Sequence, residues 1–146
     1  MINNDLVTVL LPVYNAEKYI KNSIESILNQ TYCKFLLLII NDGSIDQSLD
    51  IIKRYNDNRI KIINFNQNIG LIKALNIGLD NSKGKYIIRM DADDIMPFDK
   101  LELMHNAILK NPNALITGLV KYIADDKLYD GYLAYETWLN DLVFHQ

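Results

Sequence analysis

Cysteine is almost missing from this chain. Its 146 residues include one, Cys33, so neither an intrachain disulfide nor a cysteine zinc site can form. Histidine is scarce too, and His105 and His145 are too few for a histidine-rich metal cage. Positive charge is not in excess: 15 Lys and Arg face 18 Asp and Glu, a formal net charge of −3. That balance excludes a strongly basic nucleic-acid binder. The longest apolar run, Phe35 to Ile40, falls far short of the roughly 18 to 20 residues that a membrane span needs. Met1 to Asp5 has no positive n-region and no signal-peptide shape. The expected location is therefore the cytoplasm, free or at the inner face of the membrane. No G-x-x-x-x-G-K-[ST] or G-x-G-x-x-G stretch occurs, so a bound nucleotide would be held by a metal rather than by a glycine cradle. No G-x-S-x-G elbow occurs either.

What is present is an ordinary globular composition, 49% apolar and 23% charged, at a length that suits one domain. Two kinds of segment alternate. Leu6 to Leu11 reads as a strand ended by Pro12. Ala16 to Asn29 carries Ile20, Ile24, Ile27 and Leu28 on one helical face, with Asn15 at the N-cap position. Phe35 to Ile40 is apolar throughout, as in a central parallel strand buried on both faces. Ser44 and Gln47 have capping-box spacing ahead of a helix to about Tyr55. Ile60 to Phe65 is a third strand, and Arg59 and Lys61 place it at an edge. Leu71, Leu75 and Leu79 mark a third helix, Tyr86 to Met90 a fourth strand and Asp99 to Asn111 a fourth helix. Leu115 to Val120 is the expected fifth strand, and a last helix is expected near Tyr135 to Phe144. The alternation predicts an α/β domain with a mostly parallel sheet and right-handed crossovers.

Ligands of open α/β sheets bind beyond the carboxyl ends of the strands, near the point where strand order reverses. Each expected strand is followed there by polar groups: Pro12-Val13-Tyr14-Asn15, Asn41-Asp42-Gly43-Ser44, Asn68-Ile69-Gly70 and Asp91-Ala92-Asp93-Asp94. A D-x-D spacing alone is weak, since 14 aspartates produce about one by chance. Its position after a buried strand strengthens it. Clustered carboxylates repel unless a cation neutralises them, and hard oxygen ligands suit Mg²⁺ or Mn²⁺ held together with phosphates. The bland alternative is that Asp93 or Asp94 caps the following turn. Asp42 either shapes a turn or accepts a hydrogen bond from a base, and Tyr14 is either a core ring or a stacking platform. Gly70 permits a tight turn or close backbone approach. Lys73 is either a solvated lysine or a phosphate contact.

These segments together resemble the family-2 glycosyltransferases, which have the Rossmann-like GT-A fold. The resemblance runs from Leu11-Pro12-Val13-Tyr14-Asn15 through Ser26 to Tyr32, Asn41 to Asp46, Asn68 to Leu71 and Ala74 to Gly78. It ends with Gly84 to Asp94. It implies a sheet sandwiched between helices, with a nucleotide-sugar donor core over residues 1–122. Residues 123–146 would begin an acceptor-side region or form a C-terminal helix, truncated here. By resemblance, Pro12, Val13, Tyr14, Asp42, Asn68, Gly70, Lys73, Asp91, Ala92 and Asp93 line the donor pocket. Tyr14 would lie against the base, Asp42 would accept from it, Asp91 would sit near the ribose and Asp93, with Asp91, would hold the metal. Many relatives have arginine where this chain has Leu75.

The implied reaction is inverting transfer of a sugar from a nucleotide diphosphate, commonly UDP, to a carbohydrate or lipid-linked acceptor. The general base is expected outside this chain, because Asp125, Asp126, Asp130, Glu136 and Asp141 lack the family's usual surroundings. Tyr122, Tyr129, Tyr132, Tyr135 and Trp138 are expected to form an exposed apolar patch, where the missing half or a second copy in a homo-oligomer would dock. Two alternatives stand beside this reading, an inactive nucleotide-sugar-binding module and a metal-dependent nucleotidyltransferase. Val13 to Ala16 lacks the glycine- and arginine-rich loop usual in the latter. A phosphatase is disfavoured by Ile95, and a response-receiver domain by the absence of an acidic pair near Pro12.

Overall fold

The computed structural model describes residues 5–124 and 127–144. Two compact units divide the chain, Met1–Leu101 and Glu102–Gln146. The boundary expected at 122/123 therefore lies inside the second unit.

The first unit is built on four parallel strands: β1 (Val7–Val13), β2 (Phe35–Asn41), β3 (Ile60–Asn64) and β4 (Tyr86–Arg89). Their order is β3-β2-β1-β4. In register, Val13 pairs with Asn41, Asn41 with Asn64, and Leu10 with Arg89. β1 and β2 are central, which is why both are apolar on two faces. The cationic Lys61 is tolerated because β3 is an edge strand.

Alternate residues of the central strands feed two cores. On one face Val9, Leu11, Leu37 and Ile39 pack with Ile20, Ile24 and Ile27 of α1 (Ile20–Leu28) and Ile52 of α2 (Ser48–Lys53). On the other, Leu10, Leu38 and Ile40 pack with Ala74 of α3 (Leu71–Asn81). Each such fully buried Leu or Ile stabilises the fold by roughly 1.5–3 kcal/mol relative to exposure. α3 differs from its expected Leu71/Leu75/Leu79 stripe. Its buried positions are Ala74 and Gly78, while Leu71 and Leu79 are exposed. Small residues let the helix lie close on the sheet, and the larger leucines are displaced to its flanks.

Three further local expectations are corrected. α1 starts at Ile20, not Ala16, and Asn15 is not its cap. Asn15 has φ 49° and its side chain is used elsewhere. Ser44 and Gln47 form no capping box: α2 starts at Ser48, whose N–H donates to Asp46 Oδ1 at 3.0 Å. Leu115 to Val120 is not a strand. In the second unit both backbone groups of Val120 bond to the Asn140 amide, each at 2.9 Å. Asn140 lies on α5 (Asp130–Phe144), which starts earlier than expected. α4 (Lys100–Lys110) lies close to its expected range.

Gly43 and Gly70 carry the two turns nearest the sheet's carboxyl rim, with φ 68° and φ 93°. A Cβ on Gly43 would lie 2.3 Å from the Gln67 carbonyl carbon, whereas one on Gly70 meets nothing within 4 Å. Gly70→Ala therefore adds backbone strain alone, about 1–3 kcal/mol. Gly43→Ala adds a clash with main chain to comparable strain. Thermal unfolding will show Gly43→Ala melting below Gly70→Ala, and both below the parent chain.

Candidate functional site at the sheet's carboxyl rim

β2 lies on one side of β1 and β4 on the other, so the chain switches direction between β1 and β4. That crevice is where a doubly wound sheet offers space for a ligand. Its near wall is the end of β1. Pro12 and Val13 are buried within that strand, and Tyr14, the first residue beyond it, is 50% exposed. Its far wall is the segment after β4, where Met90 N–H donates to Leu10 O at 3.0 Å and Asp91 follows.

Backbone N–H groups leaving parallel strands lose their ladder partners and must find others. Here side-chain oxygens take them. Asn15 N–H donates to Ser44 Oγ at 3.0 Å, and Ile45 N–H donates back to Asn15 Oδ1 at 2.9 Å. Ala16 N–H donates to Ser48 Oγ at 2.8 Å. Glu17 N–H donates to Asp46 Oδ2 at 3.0 Å, and Gln47 N–H donates to Glu17 Oε2 at 2.9 Å. The loops after β1 and β2 are thus zipped together from both sides. Asn15, Glu17, Ser44, Asp46 and Ser48 are the supporting residues that sequence reasoning missed. The signal was the polar run Ser44 to Ser48, which the helix-cap expectation absorbed.

Asp42 is only 3% exposed. Its Oδ1 accepts from Ile69 N–H at 2.8 Å and its Oδ2 from Gly70 N–H at 3.0 Å. It thus ties the end of β2 to the loop that opens α3. Asn68 and Lys73 are exposed on that loop and the first turn of α3.

Asp91 is paired with Arg89. Nε donates to Oδ1 at 3.0 Å and Nη2 to Oδ2 at 3.1 Å. Arg89 thus sets a positive charge beside this carboxylate. Ala92 is part-buried against the core, whereas Asp93 and Asp94 are exposed. Partial burial raises the Asp94 carboxyl above its usual range, and the charges of Asp91 and Asp93 raise it further against the pull of Lys100. The three aspartates therefore share one negative field. Among the described residues, no three metal-ligating side chains converge to hold an ion by themselves. One or two carboxylates with phosphate oxygens completing the shell is the usual Mg²⁺ arrangement, and Asp93, one of the expected pair with Asp91, is exposed.

Of the downstream carboxylates, Asp125 and Asp126 lie outside the described residues. Glu136 accepts from Tyr122 N–H at 2.6 Å. Of the aromatic residues expected to be exposed, Tyr129, Tyr132, Tyr135 and Trp138 are, whereas Tyr122 is half-buried and packs against Tyr132 with ring centroids 5.5 Å apart. Tyr135 and Trp138 stack with ring centroids 5.4 Å apart. Among the described residues no helix is long and apolar enough to cross a membrane.

Two outcomes test this geometry. Asp42→Asn puts an amide N–H against an N–H donor and leaves a buried donor unpaired, a cost of about 1–3 kcal/mol. Amide exchange at Ile69 and Gly70 will accelerate, and urea unfolding will shift to lower concentration. Asp46 gives a pH dependence. Partial burial pushes its carboxyl up, but bonds from Ser48 and the Glu17 N–H outweigh that and hold it below the usual range. Its unfolded value is about 3.9. Its contribution is therefore complete above about pH 4 and lost as pH falls through the lower folded value. Urea midpoints between pH 6 and pH 3 will fall more steeply for the parent chain than for Asp46→Asn.

Comparison with known proteins agrees with this architecture. Residues 8–142 match Glycosyl transferase family 2. An uncharacterised glycosyltransferase of Haemophilus influenzae is 40% identical over 98% of this chain and 46% of its own length. The Escherichia coli UDP-Glc:alpha-D-GlcNAc-diphosphoundecaprenol beta-1,3-glucosyltransferase WfgD is 33% identical over 88% of this chain and 51% of its own. The chain thus spans about half the length of these curated relatives. Among solved structures, S. aureus TarS 1-349 superposes with a TM-score of 0.68 at 28% identity, over 73% of this chain and 33% of the TarS 1-349 chain. Its complex with UDP-GlcNAc superposes with a TM-score of 0.67 at 25% identity, over 80% of this chain and 38% of the other. With its parallel sheet, its rim of loops and this match along nearly its whole length, the chain belongs to glycosyl transferase family 2.

Proposed function

We propose that this chain is the donor-binding part of an inverting glycosyltransferase that uses a UDP-sugar. The observation that carries this reading is the placement of Tyr14 and the Asp91–Asp94 segment after β1 and β4, neighbouring parallel strands on either side of the switch point. Support comes from TarS, solved with UDP and with UDP-GlcNAc, and from WfgD, whose name specifies a UDP-Glc donor. A mannosyltransferase from Pyrobaculum calidifontis, solved with GDP-Man and Mn²⁺, is 26% identical at a TM-score of 0.59, over 62% of this chain and 28% of its own. It supports the use of a divalent ion.

In this reading the Tyr14 ring stacks on the base. Asp42, held by the Ile69 and Gly70 N–H groups, accepts from the base through its remaining lone pairs, with Asn68 and Gly70 beside it. Asp91 accepts from a ribose hydroxyl. Asp93, with Asp91 near it, would hold Mg²⁺ or Mn²⁺. When bound, that ion supplies Lewis-acid stabilisation of the negative charge on the leaving diphosphate. Lys73, exposed on α3, adds a positive charge for the phosphates. The acceptor oxygen bonds to the anomeric carbon as the bond from that carbon to the diphosphate breaks. The acceptor proton passes to a carboxylate base from the acceptor-binding half of the protein.

Calorimetry with UDP and GDP, with and without Mn²⁺, tests the assignment. UDP is expected to bind about tenfold or more tightly with Mn²⁺ than without it, and Asp93→Ala to abolish that enhancement. Tight UDP binding that ignores Mn²⁺ and survives Asp93→Ala would falsify the metal role of Asp93. A preference for GDP would move the base assignment alone.

A further inference from the structure

We infer that Arg89 is a positioning residue for donor recognition: its guanidinium sets the Asp91 carboxylate so that the remaining lone pairs meet the ribose hydroxyls. The inference rests on the donor-binding reading above and assigns a part to a residue which that reading leaves idle. Three observations carry it. First, the guanidinium meets both carboxylate oxygens, Nε lying 3.0 Å from Oδ1 and Nη2 2.8 Å from Oδ1 and 3.1 Å from Oδ2, contacts that hold the carboxylate's orientation as well as its place. Second, the two side chains are 50% and 47% exposed. Exposed ion pairs contribute little to stability, and ordering an arginine has an entropic cost. The pair is therefore poorly explained as a stabilising contact. Third, the two residues stand on different supports. Arg89 closes β4 and is in register with Leu10 of the central strand β1, whereas Asp91 lies beyond the strand, in the turn that Asp94 N–H closes onto Asp91 O at 3.2 Å. A side chain on the rigid sheet orients one on the rim loop.

The arrangement divides labour between two nearby carboxylates. An ionised carboxylate offers about four acceptor positions. Arg89 lies against Oδ1 with two nitrogens and reaches Oδ2 with one, leaving acceptor positions, chiefly on Oδ2, for neutral hydroxyl donors. Asp93 remains exposed and is the carboxylate left for a cation. Lysine at position 89 would restore the charge without the planar fork.

The test compares UDP with 2′,3′-dideoxyuridine diphosphate by calorimetry in Mn²⁺, for the parent chain, Arg89→Gln, Arg89→Lys, Asp91→Asn and the Arg89→Gln/Asp91→Asn double variant. The parent chain is expected to prefer UDP about tenfold, the size of a hydrogen bond to a charged group. Arg89→Gln is expected to cut that preference to about twofold, and Arg89→Lys not to restore it. The double variant should discriminate no less than Asp91→Asn alone, because both substitutions remove one interaction. Melting temperature should stay near the parent value, and if Arg89→Gln is destabilised, Arg89→Lys carries the comparison. Full preference for UDP in either Arg89 variant, additive losses in the double variant, or a parent chain that binds both nucleotides equally, overturns the inference. A parent chain that binds neither nucleotide overturns the donor reading, and the inference falls with it.

Discussion

Everything at the carboxyl rim depends on how backbone N–H groups are satisfied once the strands end. Eight of them, at residues 15, 16, 17, 45, 47, 48, 69 and 70, donate to side-chain oxygens of Asn15, Glu17, Asp42, Ser44, Asp46 and Ser48. A parallel sheet makes this problem acute, because its connections leave from one edge and carry no ladder of their own. Loops anchored in this way become extensions of the sheet. That rigidity lets a half-exposed Tyr14 and a short acidic turn serve as two walls of one crevice.

Charge at the rim follows the same economy. Three aspartates fall within four residues, and desolvation first, then the charges of Asp91 and Asp93, push the Asp94 carboxyl up. Arg89 sets a positive charge against one of them, Asp91. In the reading proposed above, Asp93 would hold a divalent ion whose remaining ligands would be diphosphate oxygens, so ion and nucleotide would be held together. The absence of a glycine-rich phosphate loop fits this logic.

The two units differ in how they satisfy their chain. The first buries continuous apolar strands between helices. In the second, α5 carries exposed tyrosines and Trp138, and its polar side chains bond directly to extended backbone, Asn140 to Val120 and Glu136 to Tyr122. That is why Leu115 to Val120, apolar and strand-like by composition, forms no strand. A strand needs a neighbour of the same kind, and here the partner is a helix side chain.

Four strands, the three helices between them and the gathering of polar loops at one edge of the sheet were legible in the residues alone. Unbroken apolar runs must be buried on both faces, an Ile20/Ile24/Ile27 spacing must face a core, and polar residues after each strand must gather on one edge. These are consequences of local periodicity and of the parallel connection rule. Residue order did not reveal that Asp42 spends both oxygens on Ile69 and Gly70, that Ser44 to Ser48 lace to Asn15 and Glu17 instead of capping a helix, or that Arg89 pairs with Asp91. A polar side chain within reach of several backbone donors has near-equal local choices. The packing of distant segments settles which donor arrives, and that packing exists only once the sheet has brought the loops together.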